Sequence, residues 1–401
     1  MGRKGGNALS SPLTIAVVAG EESGDILAAD LIAELRDLTG RQIDLIGTGG
    51  EHLAKLGQRS LIDPEDISIK GIAAVLTSLP KLLNHIRRVS SAIVKARPDA
   101  LLIVDSPDFT HRVARRVRAA LPDLPVIDLV CPQVWAWRQW RAKEMASYID
   151  HVLCLLPFEP EALARLEGPA ATYVGHRLAR LESLKSSFEV QKARQVGDEP
   201  TLLLLPGSRG RDAKVLLPRY KEAILLLEEL GHRPRLVLPT VARIEPLVRE
   251  LVADWPREVT ILTGEQARHK AFASADIAVA ASGTVTLELA LGGLPFVSTY
   301  RIDKVAWWAH QFIPVWSTSL PNLVADRPII PELHDFDGRP SNIARELARL
   351  LESEQARGAQ KEGFAAIRDR MDVSEPPGRV GARMLMEVIE SASAGRLGGS
   401  K

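Results

Sequence analysis

Two short loops concentrate residue types that can hold an anion. Pro206-Gly207-Ser208-Arg209-Gly210 ends an apolar run and opens a helical pattern. Backbone N–H groups at a helix start attract negative charge, and an adjacent arginine can grip a phosphate through two parallel hydrogen bonds. An ordinary strand–helix turn with a surface arginine fits the same residues, and the loop lacks the Gly-Lys-Ser/Thr ending of a P-loop. Ser282-Gly283-Thr284 also follows an apolar run and opens a helix; Ser282 or Thr284 could serve there simply as an N-cap. Glu288 is harder to read as a cap. Val285 stands three residues before it, where a capping box needs Ser or Thr. A carboxylate in that turn either complements the helix dipole or accepts both hydroxyls of a ribose whose phosphates rest on the helix start. Two such loops in one half of the chain favour a nucleotide over a pair of capped turns.

The first half offers different chemistry. Gly20-Glu21-Glu22-Ser23-Gly24-Asp25 is a tight turn into a helix, and Gly47-Thr48-Gly49-Gly50 puts His52 where a dinucleotide fingerprint needs its third glycine. Neither loop supports an NAD or FAD enzyme. Asp105 and Asp108 follow a strongly apolar run. A carboxylate at a strand tip suits a general base. Asp108 also fits as a helix cap, so Asp105 is the stronger catalytic candidate. Val134-Trp135-Ala136-Trp137-Arg138-Gln139-Trp140-Arg141 packs three tryptophans and two arginines together. The cluster suits stacking on a sugar or base, a lipid headgroup layer, or burial. Two further apolar–basic stretches, Ile67–Arg88 and Trp307–Trp316, read as core or as peripheral membrane contact. His176 reads as structural. No His/Cys/carboxylate spacing reads as a metal site, no Gly-x-Ser-x-Gly elbow occurs, and no cofactor is indicated.

These residues must be positioned by something, and the pattern of apolar runs says what. Runs Leu13–Ala19, Ile43–Gly47, Ala100–Val104, Pro125–Val130, His151–Leu156 and Ala171–Val174 alternate with helical stretches such as Asp25–Leu38 and Leu79–Ala96. The second half repeats the scheme with Thr201–Leu205, Arg235–Leu238, Val259–Thr263, Ile277–Ala281 and Pro295–Tyr300. Such alternation predicts parallel sheets covered on both faces. The expected class is α/β, with two doubly wound, Rossmann-like parallel-sheet domains facing across a cleft. The expected boundaries are a first domain at 12–182, a linker at 183–200, a second domain at 201–345, C-terminal helices at 346–394 and a frayed tail at 395–401. The chemistry-bearing loops all follow strands, where open parallel sheets bind ligands.

Composition narrows the function classes. The 401 residues suit two domains. A net charge of +1 gives no global field for nucleic acid. Cys131 and Cys154 are expected to be buried, reduced thiols. The run at Leu13–Ala19 is too short for a signal peptide, and no stretch reaches the ~18 apolar residues of a membrane span.

The motifs together resemble those of the lipid-A-disaccharide synthase family. Ala19–Leu27, Asp105–Phe109, Pro132–Arg138, Leu156–Glu159, Leu205–Gly210, Ala281–Thr284 with Glu288, and Ser319–Leu323 run in that family's order. The resemblance implies a GT-B fold and an inverting, metal-independent transfer from UDP-2,3-diacylglucosamine to 2,3-diacylglucosamine 1-phosphate. It implies Asp105 as catalytic base, and Arg209, Ser282, Gly283, Thr284 and Glu288 as the UDP site. Glu21, Ser23, Gly24, Asp108, Trp135 and Asn322 fall to the acylated sugars. Work at the inner face of the bacterial inner membrane as a peripheral cytoplasmic protein, and a homodimer, are further implications. The chain departs from the family pattern at Ala74, Arg180 and Asp335, and at Gly210-Arg211-Asp212. A UDP-N-acetylglucosamine 2-epimerase-like enzyme, a paralogous glycosyltransferase and a non-catalytic GT-B binding protein are the alternatives.

Overall fold

Strands that are apolar on both faces need helices on both, and the local sequence supplies them. The computed structural model describes residues 12–63, 72–300, 316–334 and 338–398, with the side chains of 72–79 and 395–398 outside that description. The chain divides into two units, Met1–Gly175 with Val373–Lys401, and His176–Asp372.

The first unit runs β1 (Leu13–Ala19), α1 (Glu22–Thr39), β2 (Ile43–Thr48), α2 (Glu51–Lys55), α3 (Ile72–Ala96), β3 (Ala100–Val104), α4 (Pro107–Ala120), β4 (Val126–Leu129), α5 (Trp140–Met145), β5 (His151–Cys154), α6 (Glu159–Arg165) and β6 (Ala170–Tyr173). Its sheet has the order β2-β1-β3-β4-β5-β6, and every pairing is parallel. The strand order turns back between β1 and β3, the switch point where such sheets open a crevice. Ala19 pairs with Val104 there, so the Gly20–Glu21 turn and Asp105 leave the sheet side by side.

The second unit runs α7 (Glu182–Ala193), β7 (Thr201–Leu205), α8 (Gly210–Glu229), β8 (Arg235–Thr240), α9 (Glu245–Val252), β9 (Val259–Thr263), α10 (Glu265–Ser274), β10 (Ile277–Ala281), α11 (Thr284–Leu291), β11 (Phe296–Thr299), α12 (Leu320–Ala325), β12 (Glu332–Leu333), α13 (Pro340–Glu352) and α14 (Glu354–Met371). This sheet is also parallel, in the order β12-β11-β10-β7-β8-β9, with its switch point between β7 and β10. The last helix, α15 (Pro377–Gly398), belongs to the first unit.

Two expected boundaries give way. The polar stretch 183–200 is not a free linker, because α7 packs as part of the second unit. It buries Leu184, Ser187, Phe188 and Gln191, a helical face whose polar members misread as solvent-facing. Ser187 Oγ donates to the Gly292 carbonyl at 2.9 Å, and Gln191 Nε2 donates to those of Phe272 at 2.6 Å and Ala275 at 2.8 Å. The C-terminal helices also divide. α13 and α14 stay with the second unit. α15 lies on α1, burying Ala382, Leu385 and Ile389 in the same core as Leu31 and Leu35. Gly378 and Gly381 permit that approach, since a Cβ on either would sit 3.0 Å from the Asp30 carbonyl oxygen or 2.9 Å from Leu31. Among the described residues no helix is long and apolar enough to cross a membrane.

Candidate active site

In the second unit, the loops after β7, β8 and β10 and one residue of α10 enclose a cavity of about 320 Å³. That is within the usual range for a small-molecule site, about 300–1,000 Å³. Gly207, Ser208 and Arg209 line it from the first loop, Thr240 and Val241 from the second, Ser282, Gly283 and Thr284 from the third, and Asp212, Glu288 and Arg268 from helices. All five residues expected at a nucleotide site are therefore brought together. Neither α8 nor α11 has a side-chain N-cap, and both begin at the cavity wall, α8 after Arg209 and α11 at Thr284. Gly207 has φ 97° and Gly283 φ 153°. Both angles favour glycine, and at Gly207 a Cβ would also press on Asp212 at 3.3 Å.

The side chains differ in how far they are already committed. Arg209 is exposed, and its side chain has no partner among the described residues. Ser282 Oγ donates to the Thr318 carbonyl at 3.3 Å, while Thr284 is exposed. Thr240 is 7% exposed, and its Oγ1 is buried with no hydrogen-bond partner among the described residues. Glu288 is 8% exposed. Its Oε2 accepts from Arg268 Nε at 2.9 Å and Nη2 at 2.8 Å, and lies 3.3 Å from His269 Nε2. Sequence reasoning passed over Arg268, His269 and Thr240. Thr240 ends β8, so the strand-end rule that found the other loops would have reached it, whereas Arg268 and His269 lie a full turn inside the helix after β9 and carry no such signal.

In the first unit, Asp105 sits at the switch point, half-buried, at the tip of β3. Its Oδ1 accepts from the Ser106 N–H at 2.7 Å and its Oδ2 from Ser23 Oγ at 3.3 Å. Asp105 and Ser106 both adopt the left-handed region, with φ 55° and 45°, and Val130 beside them has φ 86°. Three non-glycine residues there, one β-branched, hold about 1–3 kcal/mol of strain each, the kind of outlier that clusters at functional sites. Behind Asp105 lies a buried pair, with His111 Nε2 3.1 Å from Asp128 Oδ2 and His111 Nδ1 3.0 Å from the Tyr148 hydroxyl. Burial pushes the Asp128 carboxyl above the usual carboxylate range, with His111 opposing and Asp105 adding to the rise.

A family model described as lipid-A-disaccharide synthetase matches residues 15–376. The chain belongs to this family. Lipid-A-disaccharide synthases of Bradyrhizobium diazoefficiens and Rhodopseudomonas palustris are similar to it, at 45% identity over 88% of this chain and 90% of that relative, and 42% over 94% and 97%. As a member of the lipid-A-disaccharide synthase family it is a hexosyltransferase of lipid A biosynthesis. Acinetobacter baumannii MurG shares its fold at a TM-score of 0.56 with 17% identity, covering 95% of this chain and all of that one. The Neisseria meningitidis UDP-GlcNAc 2-epimerase does so at 0.56 with 12% identity, covering 94% and 100%. The fold is GT-B.

Within this synthase-family chain, four expected sugar-site residues take different places. Glu21 is exposed at the N-cap of α1, and Asp108 is exposed in the first turn of α4. Gly24 is buried, where a Cβ would meet Val104 at 3.3 Å, so this glycine lets α1 close onto β3. Its neighbour Asp25 accepts N–H bonds from Gly50 at 2.7 Å and His52 at 2.8 Å, and so caps α2. Asn322 is corrected from a sugar ligand to a structural knot. It is 2% exposed; its Oδ1 accepts from Ile329 N at 2.7 Å and Ile330 N at 3.0 Å, and its Nδ2 donates to Glu332 Oε1 at 2.7 Å and the Ile330 carbonyl at 3.2 Å. With both lone pairs and both protons used, none is left for a substrate. Glu332 in turn accepts from the Thr318 N–H at 2.9 Å, and Thr318 is the residue whose carbonyl holds Ser282.

Trp135 is likewise corrected. It is 6% exposed, edge-on to Phe158 at 5.0 Å, and its Nε1 donates to Glu159 Oε1 at 3.3 Å. The exposed rings of that cluster are Trp137 and Trp140. Cys131 and Cys154 are free, buried thiols beside Glu159. Their mutual hydrogen bond and burial push the Cys131 thiol well up. His176 accepts from the Leu178 N–H at 3.1 Å, and burial with Arg177 nearby holds its imidazole down to about 4. Among the other positions singled out, Ile67–Gly71, Trp307, Trp308, Phe312 and Asp335 lie outside the described residues, as does the side chain of Ala74.

Burial pushes the Glu159 carboxyl from its ordinary 4.5 up to about 7. The native state thus holds this proton more tightly than the unfolded chain does. Native stability is favoured by the proton at low pH, falls as pH rises above 4.5, and levels off above about 7. The loss is on the order of 3 kcal/mol. Denaturant unfolding at about pH 5 and pH 8 should show that fall in the unsubstituted protein and a flatter profile in Glu159→Gln. An equal fall in both would remove Glu159 as its source.

Proposed function

We propose that this glycosyltransferase transfers the acylated glucosaminyl group of UDP-2,3-diacylglucosamine to 2,3-diacylglucosamine 1-phosphate, with inversion. The products are UDP and the β-1,6-linked tetraacyl disaccharide 1-phosphate. The observation that carries this reading is the cavity beyond β7 and β10. It combines two uncapped helix starts, the unpartnered Arg209 and a carboxylate at Glu288. That set suits a diphosphate joined to a ribose.

In this reading Asp105 takes the proton from the acceptor hydroxyl. The oxygen attacks the anomeric carbon on the face opposite UDP, and the bond to the diphosphate oxygen breaks. Arg209 and the N–H groups at Thr284 meet the charge that develops on the leaving group. Incubating the full chain with both lipid substrates and measuring released UDP tests the reading. UDP release with either substrate alone, or none with both, counts against it.

The acyl chains would keep the acceptor in a bilayer, so we also propose peripheral work at the inner face of the bacterial inner membrane. Trp137 and Trp140 support it, at 43% and 66% exposed beside Arg138 and Arg141. The chain should float with vesicles containing anionic phospholipid; failure to float with them overturns this part alone.

A further inference from the structure

Glu288 is held in an unusual way for a residue facing a cavity. Three nitrogens, Nε and Nη2 of Arg268 and Nε2 of His269, converge on one oxygen, Oε2. Oε1 takes no part in these bonds. The far side of His269 is fixed too. Ser183 Oγ lies 2.8 Å from Nδ1, and a hydroxyl donating there leaves the ring proton on Nε2, aimed at the carboxylate. His269 is 2% exposed and the Arg268 side chain 19% exposed, so the clamp is shielded from competing water.

We propose that Arg268 and His269 are positioning residues that aim Oε1 of Glu288 at a ribose diol, and that this clamp sets a preference for ribonucleotides over 2′-deoxyribonucleotides. The inference rests on the nucleotide reading of the cavity. A carboxylate tethered by one oxygen gives up little further freedom when a diol docks on the other. It also cannot swing away to another partner when a hydroxyl is missing. The deoxy analogue therefore leaves a buried charged acceptor short of a donor, which is how a polar site rejects a ligand lacking one group. A loosely held glutamate would reorient and discriminate less. Arg268 can do this because two neighbouring nitrogens of its rigid, planar guanidinium, Nε and Nη2, converge on the one oxygen, a fixed arrangement that a flexible lysine ammonium does not copy.

Calorimetric titration of the full chain with UDP and with 2′-deoxy-UDP tests the proposal. The unsubstituted protein should favour UDP by about 10-fold or more. Arg268→Gln should cut that ratio to about threefold or less, chiefly by weakening UDP, and Arg268→Lys should fall between. Glu288→Gln should lose the ratio as well, and Arg268→Gln with Glu288→Gln should lose no more than either alone, because the two act as one unit. The double variant also guards against misfolding, since it leaves no buried unpaired charge. An Arg268→Gln protein that weakens both nucleotides equally has lost structure rather than aim, and overturns the proposal. Equal binding of both nucleotides by the unsubstituted protein overturns it while leaving the nucleotide reading intact. No binding of UDP at all removes the nucleotide reading and this inference together.

Discussion

Replacing Asp105 by asparagine should lower turnover by about 10²-fold or more, the usual contribution of a positioned general base. The substitution suits a clean test. An asparagine oxygen can still accept from the Ser106 N–H, and its amide can donate to Ser23 Oγ, the two groups that orient the aspartate. The strained turn through Asp105 and Ser106 has no reason to change, because asparagine tolerates the left-handed region as well as aspartate does. What disappears is the ability to accept a proton. UDP affinity should stay within about twofold, since in the proposed function the nucleotide belongs to the second unit. Initial-rate assays with both lipid substrates decide the matter. Turnover near that of the unsubstituted enzyme removes Asp105 as the base.

Behind Asp105 stands the buried His111–Asp128 pair. Asp128 lies on β4, where its pairing partner is Ile103 on β3, two residues before Asp105. Burial pushes the Asp128 carboxyl above the usual carboxylate range, His111 opposes that rise and the charge of Asp105 adds to it, so the two aspartates are coupled electrostatically. None of this was visible as a motif. His111 and Asp128 are 17 residues apart and meet only because β3 and β4 are neighbours.

That contrast marks what the sequence could and could not reveal. Apolar runs flanked by Gly, Ser, Asp and Pro identified eleven of the strands within a residue or two; strand order was not read from the sequence, and the structure puts the loops after Ala19, Val104, Leu205 and Ala281 at the two switch points. Loops whose chemistry is backbone chemistry were legible because a strand end, a glycine and a helix start are all local. Arg209, Gly283 and Glu288 were singled out that way, and all three line the cavity. Partners supplied by distant segments were not legible. Asn322 looked like a ligand because its motif is distinctive, yet the motif serves a hydrogen-bond knot with Ile329, Ile330 and Glu332. Trp135 looked like a stacking platform, and Glu159 draws it inward. Helix α7 looked like a linker because two of its buried residues, Ser187 and Gln191, are polar and bond to carbonyls about 80 to 105 residues away. In each case polarity was mistaken for exposure.

Arg209→Ala should lower kcat by about 10²–10³-fold, the scale for removing one preorganised donor from a developing negative charge. Under the proposed function the diphosphate gains charge as its bond to the sugar breaks, so a cation beside it is worth more in the transition state than in the bound donor. Arg209 is the cavity's uncommitted cation among the described residues; Arg268 is already paired with Glu288. The loss should therefore appear mainly in kcat, and a rise in KM at unchanged kcat would mean that Arg209 grips donor and transition state alike. Arg209→Lys should recover part of the rate. It restores the charge but not the two-pronged geometry that matches a phosphate's oxygens. The nearby Asp212 sharpens the test, because it shares the cavity wall and the first turn of α8. With Arg209 gone, that carboxylate and Glu288 remain to repel the leaving diphosphate, so Arg209→Ala combined with Asp212→Asn should be faster than Arg209→Ala alone. A double variant no faster than the single one would mean that Asp212 does not feel the leaving group, and kcat within about threefold of normal in Arg209→Ala would end the claim that this arginine stabilises it.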